Sequence, residues 1–178
     1  MPHTAARRRI SSIRSIGLAT MIAVGASLVL SGTASAKTAT LHLYSKTLSV
    51  MIFEANGQPV TNSNALPVAG EYYTTTDTDY PGNNKHHSST SSGYDHLVCT
   101  FTSVTSSAGE ALCDAEVFYN GSLLYADHFS LAISFTSVQA SRVPISGGTG
   151  QFKHAHGTIV SADVGNTNNS NFTITYST

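Results

Sequence analysis

The chain has 178 residues, with nine Lys and Arg against ten Asp and Glu, eight His, two Cys and no Trp. Charged residues make up only 11% of it. After Arg14 the basic residues are scattered singly, so the clustered positive charge that holds a phosphate backbone is missing and nucleic acid is excluded as a partner.

The first 36 residues read as a leader. Arg7, Arg8, Arg9 and Arg14 precede the apolar run GLATMIAVGASLVLSG, and Ala34-Ser35-Ala36 supplies a small-x-small cleavage site. This is the three-part layout of a secretory signal peptide. Gly17, Gly25 and Ser27 interrupt the run, which is short for the roughly 20 apolar residues of a membrane span. The expectation is a secreted, extracellular protein without a membrane anchor, cleaved after Ala36. The leader removes four basic residues and no carboxylate, which leaves 37–178 with five basic residues, ten acidic ones and a net charge of −5. That length suits one domain.

From Lys37 onward no segment sustains apolar spacing of three and four, the mark of an amphipathic helix. Alternation with period two dominates instead. It predicts strands over 39–45, 48–54, 70–80, 95–104, 110–119, 123–135, 152–164 and 171–177, with RVPIS (142–146) as a short extra. Turn chemistry separates them: ANGQPVTNSN, YPGNNKHHSSTSSG, YNGS, SGGTG and VGNTNNSN. The longest loop, 80–94, is polar and expected to be mobile. So many strands, with no helix to cover a sheet face, predict an all-β barrel or sandwich.

Cys99 and Cys113 flank TFTSVTSSAGEAL, two β-type runs around a turn. Folded as a hairpin, this segment brings the two cysteines nearly opposite, and an exported location favours a disulfide between them. No Cys-x-x-Cys spacing supports a redox role. The cysteine face then carries Leu97 and Phe101 on one strand, and Ala111, Ala115, Val117 and Tyr119 on its partner. The other face of the second strand reads Glu110, Leu112, Asp114, Glu116, Phe118. The small, apolar cysteine face should therefore point into a barrel and leave room for a cavity, with Phe101, Val117 and Tyr119 as ligand-binding candidates.

The stretch SGGTGQFKHAHG (146–157) admits three readings. A phosphate loop needs its glycines to open a helix, and these run into a strand-like segment. A metal site could use His154 and His156, placed two apart so that both rings share one strand face, but no third ligand stands at a recognisable spacing. The remaining reading is a tight corner, in which glycines permit positive φ or close backbone approach. No cofactor motif, no metal-ligand set and no Gly-x-Ser-x-Gly nucleophile elbow is present.

Three segments carry a resemblance. FYNGSLL (118–124), ISGGTGQFKHAHG (145–157) and the terminal NFTITYST resemble the dirigent proteins in order and spacing. IFEANG (52–57) and GGTGQF are similar to the related allene oxide cyclases. The resemblance spans about 48–178 and implies an eight-stranded antiparallel barrel, a homotrimer and an apolar central pocket for a small apolar or phenolic ligand. It implies that Glu54 stabilises developing positive charge and that Asn56 holds a water. His156 would stand where dirigent proteins carry an arginine, and Tyr119 would line the pocket. Both families hold a reactive substrate in one shape. The function expected is a cyclase, isomerase or stereocontrolling protein, with a non-catalytic carrier or a structural barrel as alternatives. A titratable group beside apolar walls would favour the enzyme, a wholly apolar interior the carrier and a filled one the scaffold.

Overall fold

The computed structural model describes residues 37–61, 65–137 and 139–178; the leader and its cleavage site lie outside the described residues. Nine strands follow in order: β1 (Thr38–Phe53), β2 (Tyr72–Pro81), β3 (Gly93–Val104), β4 (Ala108–Tyr119), β5 (Ser122–Ser134), β6 (Ala140–Ile145), β7 (Gly147–Gly148), β8 (His156–Asp163) and β9 (Ser170–Ser177). Every pairing is antiparallel, in the order β6-β8-β9-β1-β2-β3-β4-β5-β7. The first and last of that order, β6 and β7, are one run of chain parted only by Ser146. β6 pairs with β8, and β7 pairs with β5 at Leu124 and Tyr125. The sheet thus closes on itself as an eight-walled antiparallel barrel.

Two N-terminal strands were expected and one is found. The 39–45 and 48–54 runs belong to a single strand, whose alternation breaks at a bulge between Thr47 and Ser49. Before the bulge Leu41, Leu43, Ser45 and Thr47 face inward; after it the phase flips and Val50 and Ile52 take over, opposite Thr75 and Tyr73. A second bulge lies in β5, where Asp127 and His128 together oppose Asp114. His128 takes φ 54°, and its N–H donates to Asp114 Oδ1 at 2.7 Å. This extra residue lets both Leu124 and Ala126 and, beyond it, Phe129, Leu131 and Ile133 point inward.

The short RVPIS extra forms most of β6, a full wall of the barrel. The strand expected from 152 begins only at His156, because Gly150–Phe152 forms a 3-10 turn first. The 80–94 loop is tied down at several points. Asn84 N–H donates to Asn171 Oδ1 at 2.7 Å, Asn171 Nδ2 donates back to Asn84 Oδ1 at 3.0 Å, and His87 stacks on Tyr44 at 4.8 Å.

Inside, one end of the barrel is filled. Leu43, Leu124, Ile174 and Phe152 are fully buried there, and the Phe152 ring meets Tyr176 edge-on at 5.1 Å. The disulfide Cys99–Cys113 joins directly opposed residues of β3 and β4, both buried, on the inward face with Phe101, Ala111 and Val117. The other end is hollow.

Candidate functional site

The hollow end holds a cavity of about 420 Å³, large enough for a small organic molecule. Its walls come from inward positions of nearly every strand: Tyr73 and Thr75, Leu97, Ala115 and Val117, Phe129 and Leu131, Val143, Ile159 and Phe172. Small residues on β4 leave the space and aromatic rings bound it. Along the outer half of β5 no ladder joins β6 among the described residues, and Ala132, Ile133, Ser134, Gln139 and Ser141 line the cavity at this seam.

The floor of the cavity is acidic. Asp77 and Asp95 are directly paired across β2 and β3, and Asp79 lies two residues along from Asp77, opposite Ser45 of β1. Their residual exposures are 8%, 5% and 0% respectively. Asp77 and Asp95 border the cavity; Asp79 sits between them and the filled end. Ser45 Oγ donates to Asp95 Oδ2 at 2.7 Å. As carboxylates, Asp77 Oδ1 and both oxygens of Asp79 face no donor. Buried acidic oxygens in that state are costly unless they hold protons. A proton on Asp79 or Asp77 resolves the conflict, because it can be donated to Asp95.

The proton affinities follow from this packing. Burial pushes the Asp79 carboxyl up to about 9, with the charges of Asp95 and Asp77 adding to the rise. Asp77 is pushed up to about 7, again by burial first and by Asp95 second. Asp95 is also raised by burial, while hydrogen bonds from Ser45, Asp79 and Asp77 pull the other way. Burial pushes the Tyr73 phenol up to about 12, so it stays protonated. Near neutral pH the cavity thus contains a carboxyl that can give or take a proton beside apolar and aromatic walls.

The residues singled out from the sequence divide between cavity and surface. Val117 lines the cavity, and Phe101 is buried behind it, tilted against Tyr73 at 5.6 Å. Tyr119 is half-buried at the filled end, where its carbonyl accepts from Gln151 Nε2. Glu54 and Asn56 lie exposed in the turn after β1, holding each other: Asn56 Nδ2 donates to Glu54 Oε2 at 3.1 Å, and Asn56 Oδ1 accepts from Gln58 N–H at 2.8 Å. Neither is among the residues that line the cavity, which β1 reaches with Thr47 and Val50. His156 is exposed at the start of β8 and does not line the cavity. His154 does not share its strand face; it lies in the turn between the 3-10 segment and β8, with φ 66°. Between them Ala155, not a histidine, turns inward and is buried.

The acidic floor went unread in the sequence. Asp95 is in phase with Leu97, Cys99 and Phe101, the face already expected to point inward. Asp77 and Asp79 alternate in TTTDTDY in phase with Tyr73. The alternation is there, but by itself it does not distinguish an inward carboxylate from an outward one.

No protein-family model matches the chain, and no curated protein matches it in sequence. Its backbone is similar to several solved structures. A pterocarpan synthase dirigent protein superposes with a TM-score of 0.53 at 18% identity, over 79% of this chain and 93% of that one. The exo-specific intermolecular Diels-Alderase AbnU gives 0.59 at 11% identity, over 81% and 99%. A pyocyanin demethylase gives 0.57 at 17% identity, over 77% and 99%. The chain has the same barrel fold as these proteins. Within this dirigent-like barrel the SGGTG corner is the closing device. Gly147 and Gly148 pair with β5, Thr149 N–H donates to Leu123 O at 2.7 Å, and the following 3-10 turn drives Phe152 into the filled end. The corner is backbone architecture and holds no phosphate-like cradle open to the cavity.

Proposed function

We propose that the protein binds a small apolar or phenolic molecule inside the barrel and holds it in one shape for a cyclisation or isomerisation, with Asp77 moving the proton. The observation that carries this reading is the buried Asp77–Asp95 pair bordering a cavity whose walls include Tyr73, Leu97, Val117, Phe129 and Phe172. Buried carboxyls without partners cost stability, so their retention beside a cavity points to a role toward what the cavity holds. A group titrating near neutrality suits general acid–base work: Asp77, ionised beside the bound ligand, takes a proton from it and returns one as product forms. The Diels-Alderase of the same fold is named for ring-forming chemistry, which supports a role of this class.

The same reading includes secretion after cleavage at Ala36 and assembly as a homotrimer. The outer face of β3 and β4 supports the assembly, with Tyr94, Val98 and Leu112 exposed at 41%, 45% and 46%. Native mass spectrometry of protein recovered from its own culture fluid tests the binding claim. The expected result is a bound small organic molecule, lost when Ala115→Trp fills the cavity. Protein recovered empty, or a molecule retained by the Trp variant, contradicts it.

A further inference from the structure

The electrostatics of the cavity are one-sided. The charged side chains on its inward face are Asp77 and Asp95, with Asp163 exposed at the rim; Glu116 borders it from β4 but lies on that strand's exposed, outward face. Among the described residues no Lys, Arg or His borders it. Asp77 is more than nine-tenths buried, and its Oδ1 has no hydrogen-bond partner. What faces it from the packed strands is Ser45 and Thr47 of β1, Asp79 of its own strand and Asp95 of β3; none brings positive charge. Independently of the carboxyls, three aromatic side chains, Tyr73, Phe129 and Phe172, line the same cavity. Aromatic faces beside carboxylates are the surroundings in which an organic cation is bound most strongly, since ring quadrupoles and full charges act together with little water to screen them.

We propose that the occupant of this cavity is a small organic monocation, an apolar body whose positively charged nitrogen sits against Asp77 and Asp95 with the rings of Tyr73, Phe129 and Phe172 around it. This rests on the reading of the cavity as a ligand site and specifies what the ligand carries. A metal ion is a poorer fit, because the described residues contain no group of three or more His, Cys, Asp or Glu arranged to hold one. An anion is repelled by every charged group of the lining. A cation supplies the missing partner of Asp77 Oδ1, so its binding should expel a proton from the cluster and tighten as pH rises.

Two probes of equal shape test this on the full chain: phenyltrimethylammonium, a permanent cation, and tert-butylbenzene, its neutral counterpart. Ligand-observed NMR at about pH 9 should show the cation binding at least about ten-fold more tightly, with the advantage shrinking toward about pH 5 as the carboxyls take up protons. Asp77→Asn and Asp95→Asn should each cut the preference while still binding tert-butylbenzene, which reports that the barrel is folded. Equal binding of the two probes at the higher pH, or a preference that survives in both variants, overturns the proposal while leaving the cavity as a ligand site. Binding of neither probe overturns both.

Discussion

Burying Asp77, Asp79 and Asp95 together fixes the direction in which stability depends on pH. Carboxyls whose folded values lie above the ordinary 3.8 keep protons in the folded chain that the unfolded chain has released. Their contribution is fully present below about pH 4 and is lost as pH rises through about 7 for Asp77 and about 9 for Asp79. Thermal melts should therefore decline across that window and level off above it. Asp79→Asn cannot ionise, so it should melt higher than the parent at about pH 9, by on the order of 5 °C, and close to it at about pH 4. A parent that gains stability over this range contradicts the buried cluster. His156 is the opposite case. It is exposed and off the cavity, so His156→Ala should shift stability by no more than about 0.5 kcal/mol in a denaturant titration and leave ligand binding unchanged. Legibility at this scale was uneven. Cys99, Cys113, Phe101 and Val117 share one alternation, and their inward face could be read directly. Asp95 continues that alternation by one step, but burial of a carboxylate depends on what three other strands place around it. No local pattern reports that.

The SGGTGQF segment is where one element does two jobs. It switches partners, from β8 before Ser146 to β5 after it, and then turns to insert Phe152. A corner was legible from its glycines, though the reason differs from positive φ at Gly148. A Cβ there would lie 2.5 Å from Leu123 O and 2.8 Å from Phe152 O, so close approach of two backbones excludes a side chain. Gly148→Val should cost about 1–3 kcal/mol or more by overpacking, read by the denaturation midpoint. Phe152→Ala should cost about 3–5 kcal/mol through the void it leaves. Near-parent stability for both would show that the corner does not close the barrel. The fused β1 and the late start of β8 were not legible for a common reason: a bulge or a single 3-10 turn shifts the phase by one residue, and alternation counted along a sequence cannot tell a shifted strand from two strands.

At the scale of the molecule the barrel is asymmetric along its axis. Leu43, Leu124, Phe152 and Ile174 fill one end; the other keeps a cavity with an acidic floor and a side seam between β5 and β6. The fold class and the cross-strand disulfide were readable because each follows from alternation and turn spacing alone. The cavity itself was legible only in part: Val117 was expected to face it and does, Phe172 of the terminal NFTITYST also lines it, and Glu54, Asn56 and His156 lie outside its lining. The disulfide, closing a loop between residues 14 apart, should contribute about 3 kcal/mol in the chain-entropy model. The central claim, however, is that carboxyls lie in a water-poor interior and hold protons near neutral pH. Carbon-13 NMR of aspartate-labelled protein, followed across pH, measures this directly. The Asp77 carboxyl should titrate near 7 and Asp79 near 9. All three carboxyls of the floor ionising together near the ordinary value of about 4 would contradict it.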